Sequence, residues 1–148
     1  MTSPATQTIN SIEELTMFSI DRTLDGLDAL SLDCQRCATA VENNPAGSVS
    51  QLTTLAVNIH DFDIFQTNLS SFFFIDSDVI GDFKGTLKIA EDEFHETLNE
   101  MAVLLSAGNM TGLIRLLKDD IPDRLARFRE LFPLLRDHIH DEYLQPAG

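Results

Sequence analysis

The chain has 148 residues, 24 Asp and Glu against 10 Lys and Arg, a formal net charge of −14, ten Phe and no Trp. A domain of this length buries about 68–70% of its unfolded surface, and a 43% hydrophobic share argues against intrinsic disorder. The acidic excess argues against generic binding to DNA, RNA or an anionic membrane, which repel a negative protein.

In chain order, Ser11-Ile12-Glu13-Glu14 reads as a capping box opening the first helix. Met17, Ile20, Leu24, Leu27, Cys34, Ala38 and Val41 then recur at three- and four-residue spacings, with Ser31 in the missing seat. Asn43-Asn44-Pro45-Ala46-Gly47 stops that helix, and Ser48 is placed to cap the second. The second stripe holds Leu52, Leu55, Ile59, Phe62, Leu69 and Phe73 and ends near Asp76-Ser77-Asp78, where Ser77 or Asp78 caps a third helix. The third seam is Ile80, Phe83, Leu87, Ala90, Phe94, Met101 and Leu105, weakened at its start by Gly81 and Gly85 and stopped by Ala107-Gly108-Asn109.

The fourth seam runs through Leu113, Leu117, Ile121, Leu125, Phe128, Phe132, Leu135 and Ile139. Its apolar phase passes straight through Pro122, so either one helix kinks there or a new one starts in line with Pro122 in its first turn. Pro133 lies off the seam and should bend the helix without ending it. No strand is expected, because Phe72-Phe73-Phe74-Ile75 is short and isolated. Long helices with short connections predict an all-α chain, an antiparallel up-down four-helix bundle with a proline-kinked fourth helix. Residues 1–148 read as one domain, with disordered tails at 1–9 and 145–148.

The segment from Gly108 to Pro122, with Leu125, Phe128 and Leu131, resembles the C-terminal part of a family of small, uncharacterised bacterial helical proteins. These carry a pattern like G-D-Y-x-x-L-x-D-L-L-E-Y-E-[IL]-x-P, followed by leucines and an aromatic. The apolar frame agrees, while Arg115 stands where the pattern has Asp and Asp119 where it has Tyr. The resemblance implies helical architecture and a bacterial origin, and no activity.

Metal binding is the sharpest enzymatic idea. Asp92-x-x-His95 and Asp137-x-x-His140 have the spacing of ferritin-like ligand pairs, and His60 with Asp61 lies on the second helix. The seams turn these pairs outward, however, and the first helix offers no inward Glu, so a solvated surface is the reading and no metal is assigned. Cys34-x-x-Cys37 sits mid-helix, where no dipole activates a thiol and no second Cys pair completes a zinc site. It reads as a core residue with a half-buried neighbour. No phosphate loop, nucleophile elbow or His-Glu-x-x-His is present, so no catalytic residue and no cofactor is assigned.

The remaining features point to binding. A helix cannot bury Phe72, Phe73 and Phe74 on one seam, so Phe72 or Phe74 plugs a bundle end or lies exposed as a partner or dimer site. Residues 1–83 carry ten of the fourteen net negative charges and residues 111–148 only one. Arg115, Arg124 and Arg127 on the fourth helix are therefore candidates for an acidic partner or for pairing within the chain.

The expected function is non-enzymatic: a cytoplasmic bundle that binds another protein as an adaptor, a regulator or a secretion- or flagellum-type chaperone, with a homodimer open. A metal-binding bundle and an acidic nucleic-acid mimic are the alternatives. Three observations set the compartment. No run approaches 18 apolar residues, Met1–Asn10 has no signal-peptide character, and two cysteines suit a reducing cytoplasm.

Overall fold

The computed structural model describes residues 4–72 and 75–144, which are almost entirely helical. Helix α1 spans Pro4–Asn43, and a 3-10 turn at Ala46–Ser48 leads into α2, Val49–Phe72. A two-residue ladder pairs β1, Gly81–Asp82, with β2, Gly85–Thr86, in antiparallel register. Helix α3 is Leu87–Ala107 and α4 is Met110–Arg115. A π turn at Leu116–Asp120 joins α4 to α5, Ile121–Ile139, and a second π turn follows at His140–Leu144.

Helix α1 starts earlier than the capping box suggests. It begins at Pro4, a residue whose fixed φ suits the first helical position. Residues 1–3 and 145–148, the remainder of the expected tails, lie outside the described residues. Ser48 precedes α2 but does not cap it: its hydroxyl donates to the Pro45 carbonyl at 2.9 Å.

The third helix starts later than its apolar spacing suggests, at Leu87, with Thr86 Oγ1 accepting from the Ile89 N–H as the cap. Gly81–Thr86 forms the hairpin instead, so the expectation of no strand fails there. Phe83 stands 94% exposed at its tip and leaves the predicted seam. Gly85 takes φ 141°, which a side chain rarely adopts, and Gly81 lies against the Gly85 backbone where no Cβ fits. These two glycines make a hairpin cheaper than a helical turn. At its other end α3 stops as expected: Gly108 takes φ 65°, and the N–H groups of Gly108 and Asn109 bond back to Leu105 and Leu104.

Helical backbone continues through both prolines. Ile121 N–H donates to Leu116 O, five residues back, so the wide turn lies just ahead of Pro122, in the first turn of α5. That spacing relieves the clash of a proline ring with the preceding turn. Pro133 lies inside α5, on its exposed side.

The seams become the core. Ile20, Leu27, Cys34 and Val41 of α1, Leu55, Ile59 and Phe62 of α2, Leu87 and Phe94 of α3, and all eight seam residues of the last stretch, Leu113, Leu117, Ile121, Leu125, Phe128, Phe132, Leu135 and Ile139, are buried. Leu30 and Leu116, which fall beside their seams, are buried too, while Leu105 of the third seam is partly exposed. At mid-height Phe128 meets Phe62, Phe94 and Phe132 at centroid separations of 5.2, 5.4 and 5.8 Å, all edge-to-face. Such pairs contribute about 0.5–1.5 kcal/mol each beyond their buried area. Asp21 and Asp28 of α1 pair with Arg136 and Arg129 of α5, which sets those two helices antiparallel.

Candidate functional site

The side chains that α1 and α2 leave uncovered define a long concave surface. On α1, Leu27 and Leu30 turn to the core, while Thr23, Gly26, Ala29 and Asp33 stand at the edge facing α2. Opposite them α2 places Asn58, Asp61, Phe62 and Phe65, enclosing a hollow of about 370 Å³. Gly26 borders it with open space in front: a Cβ there would meet nothing within 4 Å. A second hollow of about 340 Å³ lies along the same seam, between Leu15, Thr16 and Ser19 of α1 and Asn68, Leu69 and Phe72 of α2. Phe65 lines both, so they form one groove with an apolar floor. Leu15, Phe18 and Phe72 beside it are 62%, 56% and 63% exposed. The outer face of α2 adds Val57 and Ile64, exposed and seven residues apart.

The predicted partner-binding residues separate. Phe72 stands at the end of this groove, and Phe73 and Phe74 lie outside the described residues. Arg115 is exposed on α4. Arg124 is engaged within the chain, donating to Glu93 at 3.2 Å and to Thr97 at 3.2 Å. Arg127 is held more firmly. Its guanidinium grips Asp82 through two bonds of 2.7 and 3.0 Å, donates to the Gly85 carbonyl at 3.0 Å and reaches Glu130 at 3.1 Å. The Arg127 bonds hold the Asp82 carboxyl down at about 2, well below the usual carboxylate range. Arg124 and Arg127 thus tie α3 and the hairpin to α5.

A polar seam crosses between α2 and α3. His95 Nε2 lies 2.7 Å from Asp63 Oδ1, a pairing the Asp92-x-x-His95 spacing does not suggest, since Asp92 is instead tied to Lys88 at 2.9 Å. One turn away Gln66 is 1% exposed; its Nε2 donates to Thr67 Oγ1 at 3.0 Å and its Oε1 has no partner. Glu91, half-buried with one carboxylate oxygen unpartnered, has its pKa raised by burial. The signal was present: Asp63 and His95 each follow a seam aromatic, Phe62 and Phe94, so packing those rings brings their neighbours together. Gln66 occupies the empty seat between Phe62 and Leu69. Among the described residues no three His, Cys, Asp or Glu side chains converge as metal ligands.

Cys34 and Cys37 are both free and fully buried, so Cys37 is more enclosed than a half-buried neighbour. Burial, with smaller contributions from Cys37 and Asp33, pushes the Cys34 thiol up to about 12, and burial raises Cys37 as well. Thiols held protonated are poor nucleophiles. No helix among the described residues is long and apolar enough to cross a membrane. No protein-family model, curated protein or solved structure matches the chain.

Proposed function

We propose that this chain is a cytoplasmic, non-enzymatic binding protein, built as an up-down four-helix bundle kinked at Pro122, that holds another protein along the α1–α2 seam. One observation carries the reading: two adjoining apolar hollows of about 370 and 340 Å³ run between helices whose neighbouring Leu15 and Phe18 are more than half exposed. Exposed apolar side chains gathered around a concavity mark interaction sites more often than isolated ones do. An elongated groove between two helices is the usual receptor for an amphipathic helix. The adaptor, regulator and chaperone roles all use such a groove, and the antiparallel α1–α5 pairing with the short α1–α2 and α3–α4 connections supports the bundle reading.

The test is photo-crosslinking in the native host, with the reactive side chain placed at Ala29 in the groove or at Lys118 on the last helical stretch. Adducts that form from position 29 and not from 118 support the reading. Equal adducts from both, or none from either, would end it.

A further inference from the structure

The groove's charge specifies its occupant. Two charged side chains line the paired hollows, Asp33 and Asp61, both acidic, both exposed, and neither ion-paired among the described residues. Four other acids of this half are committed elsewhere: Asp21 to Arg136, Asp28 to Arg129, Asp63 to His95 and Asp82 to Arg127. Helix α1 carries two basic residues: Arg22, which turns over the Phe18 ring, 5.8 Å from its centroid, and Arg36, which lines a neighbouring hollow together with Asp33. An apolar floor with an acidic rim is complementary to an apolar stripe flanked by cations. We infer that the α1–α2 groove receives a cationic amphipathic helix from a partner protein. This rests on the reading of the groove as a binding surface and names the chemistry of what it binds.

The geometry also sets the ligand's register. The hollow around Gly26 and Leu30 and the one around Leu15 and Ser19 are eleven residues apart along α1. At 1.5 Å per residue that is about 16 Å, three turns of a helix lying alongside. The partner helix therefore carries large apolar anchors about eleven residues apart, one over Phe62 and Leu30, the other over Leu69 and Leu15. Lys or Arg beside the first anchor meets Asp33 and Asp61. The pairs at the rim contribute chiefly selectivity and association rate, and the anchors contribute the holding force.

The experiment uses the full chain and three synthetic helical peptides of about 18 residues with the same apolar anchors and Lys, Gln or Glu on the flanks. Binding is read by fluorescence anisotropy. The lysine peptide should bind at least about tenfold tighter than the glutamate peptide, and the difference should shrink as salt rises from about 0.05 to about 0.5 M. Asp33→Lys with Asp61→Lys should reverse the preference. Gly26→Leu, which fills the first hollow and favours helix, should weaken binding of every peptide about tenfold while leaving the circular dichroism intact.

If the glutamate or glutamine peptide binds as well as the lysine peptide, and Gly26→Leu still weakens it, the cationic partner is refuted while the binding groove stands. If no peptide binds, or Gly26→Leu changes nothing, both readings fall. Self-association seen by light scattering and abolished by Gly26→Leu would assign the groove to a second copy of this chain and overturn the inference.

Discussion

Gln66 offers a test in which a substitution should stabilise the protein. Its amide is 1% exposed, Nε2 makes one bond of normal length to Thr67, and the Asp63 contact at 3.5 Å is too long to contribute much. Oε1 is buried without a partner. Leaving such an acceptor unpaired costs about 1–3 kcal/mol, against about 0.5–1.5 kcal/mol for the bond to Thr67. Gln66→Met keeps the unbranched shape and nearly the volume while removing both terms, and it places an apolar side chain between Phe62 and Leu69. The net expectation is a gain of about 0.5–1.5 kcal/mol, a rise in Tm of about 1–5 °C for a domain of this size. Urea unfolding followed by far-ultraviolet circular dichroism checks it, with an unchanged m-value showing that the same surface is exposed. A loss of about 1 kcal/mol or more would refute the reasoning, because it would mean that the amide is fully bonded in the native state.

Three further perturbations address the core, the hairpin and the polar seam. Phe128→Ala removes the ring that meets three others and should cost about 3–5 kcal/mol in the same unfolding assay. Arg127→Met should free the β1–β2 hairpin, read as faster amide exchange at residues 81–86 with α3 still protected. Because Asp82 titrates lower folded than unfolded, the clamp's contribution is present above the ordinary carboxylate range. It is lost as pH falls through about 2, and in Arg127→Met that acid sensitivity should vanish. Glu91 runs the other way: burial raises its folded pKa, so its contribution is fully present below the ordinary value of 4.5 and lost as pH rises through the folded one. Glu91→Gln should therefore raise Tm near pH 7 and have little effect near pH 4.

The thiols give a last check. With both cysteines buried and Cys34 held at about 12, neither should react with a thiol reagent at pH 8 in the folded protein. Both should react once urea unfolds it. Rapid labelling of the native state would mean that α1 opens locally around Cys34.

Local pattern carried most of the helical content. Ile20, Leu27, Cys34, Ile59, Phe62, Phe94, Leu125 and Ile139 are buried where their spacing placed them, because a 3.6-residue repeat decides locally which face is apolar. The stop at Gly108 was equally legible, since a left-handed φ after an apolar run is a property of a few adjacent residues. The errors fall where distant residues decide. An apolar phase through Ile80 and Phe83 suited a helix, yet Arg127, 45 positions further on, grips Asp82 and the Gly85 carbonyl and holds a hairpin there.

The partner of His95 is likewise Asp63, 32 residues earlier, and not the Asp92 that its spacing recommended. The groove is the largest case. Its floor is assembled from Leu27, Leu30, Phe62 and Phe65, whose positions on one helix say nothing about how closely a second will approach. By itself the sequence determined which faces must be buried and how much negative charge the first half carries. Only tertiary packing decided which of those charges find a cation within the chain, and so left Asp33 and Asp61 unpaired beside an open apolar seam. Periodicity acts within one helix, whereas pairing and concavity depend on distances between helices that only the folded chain sets.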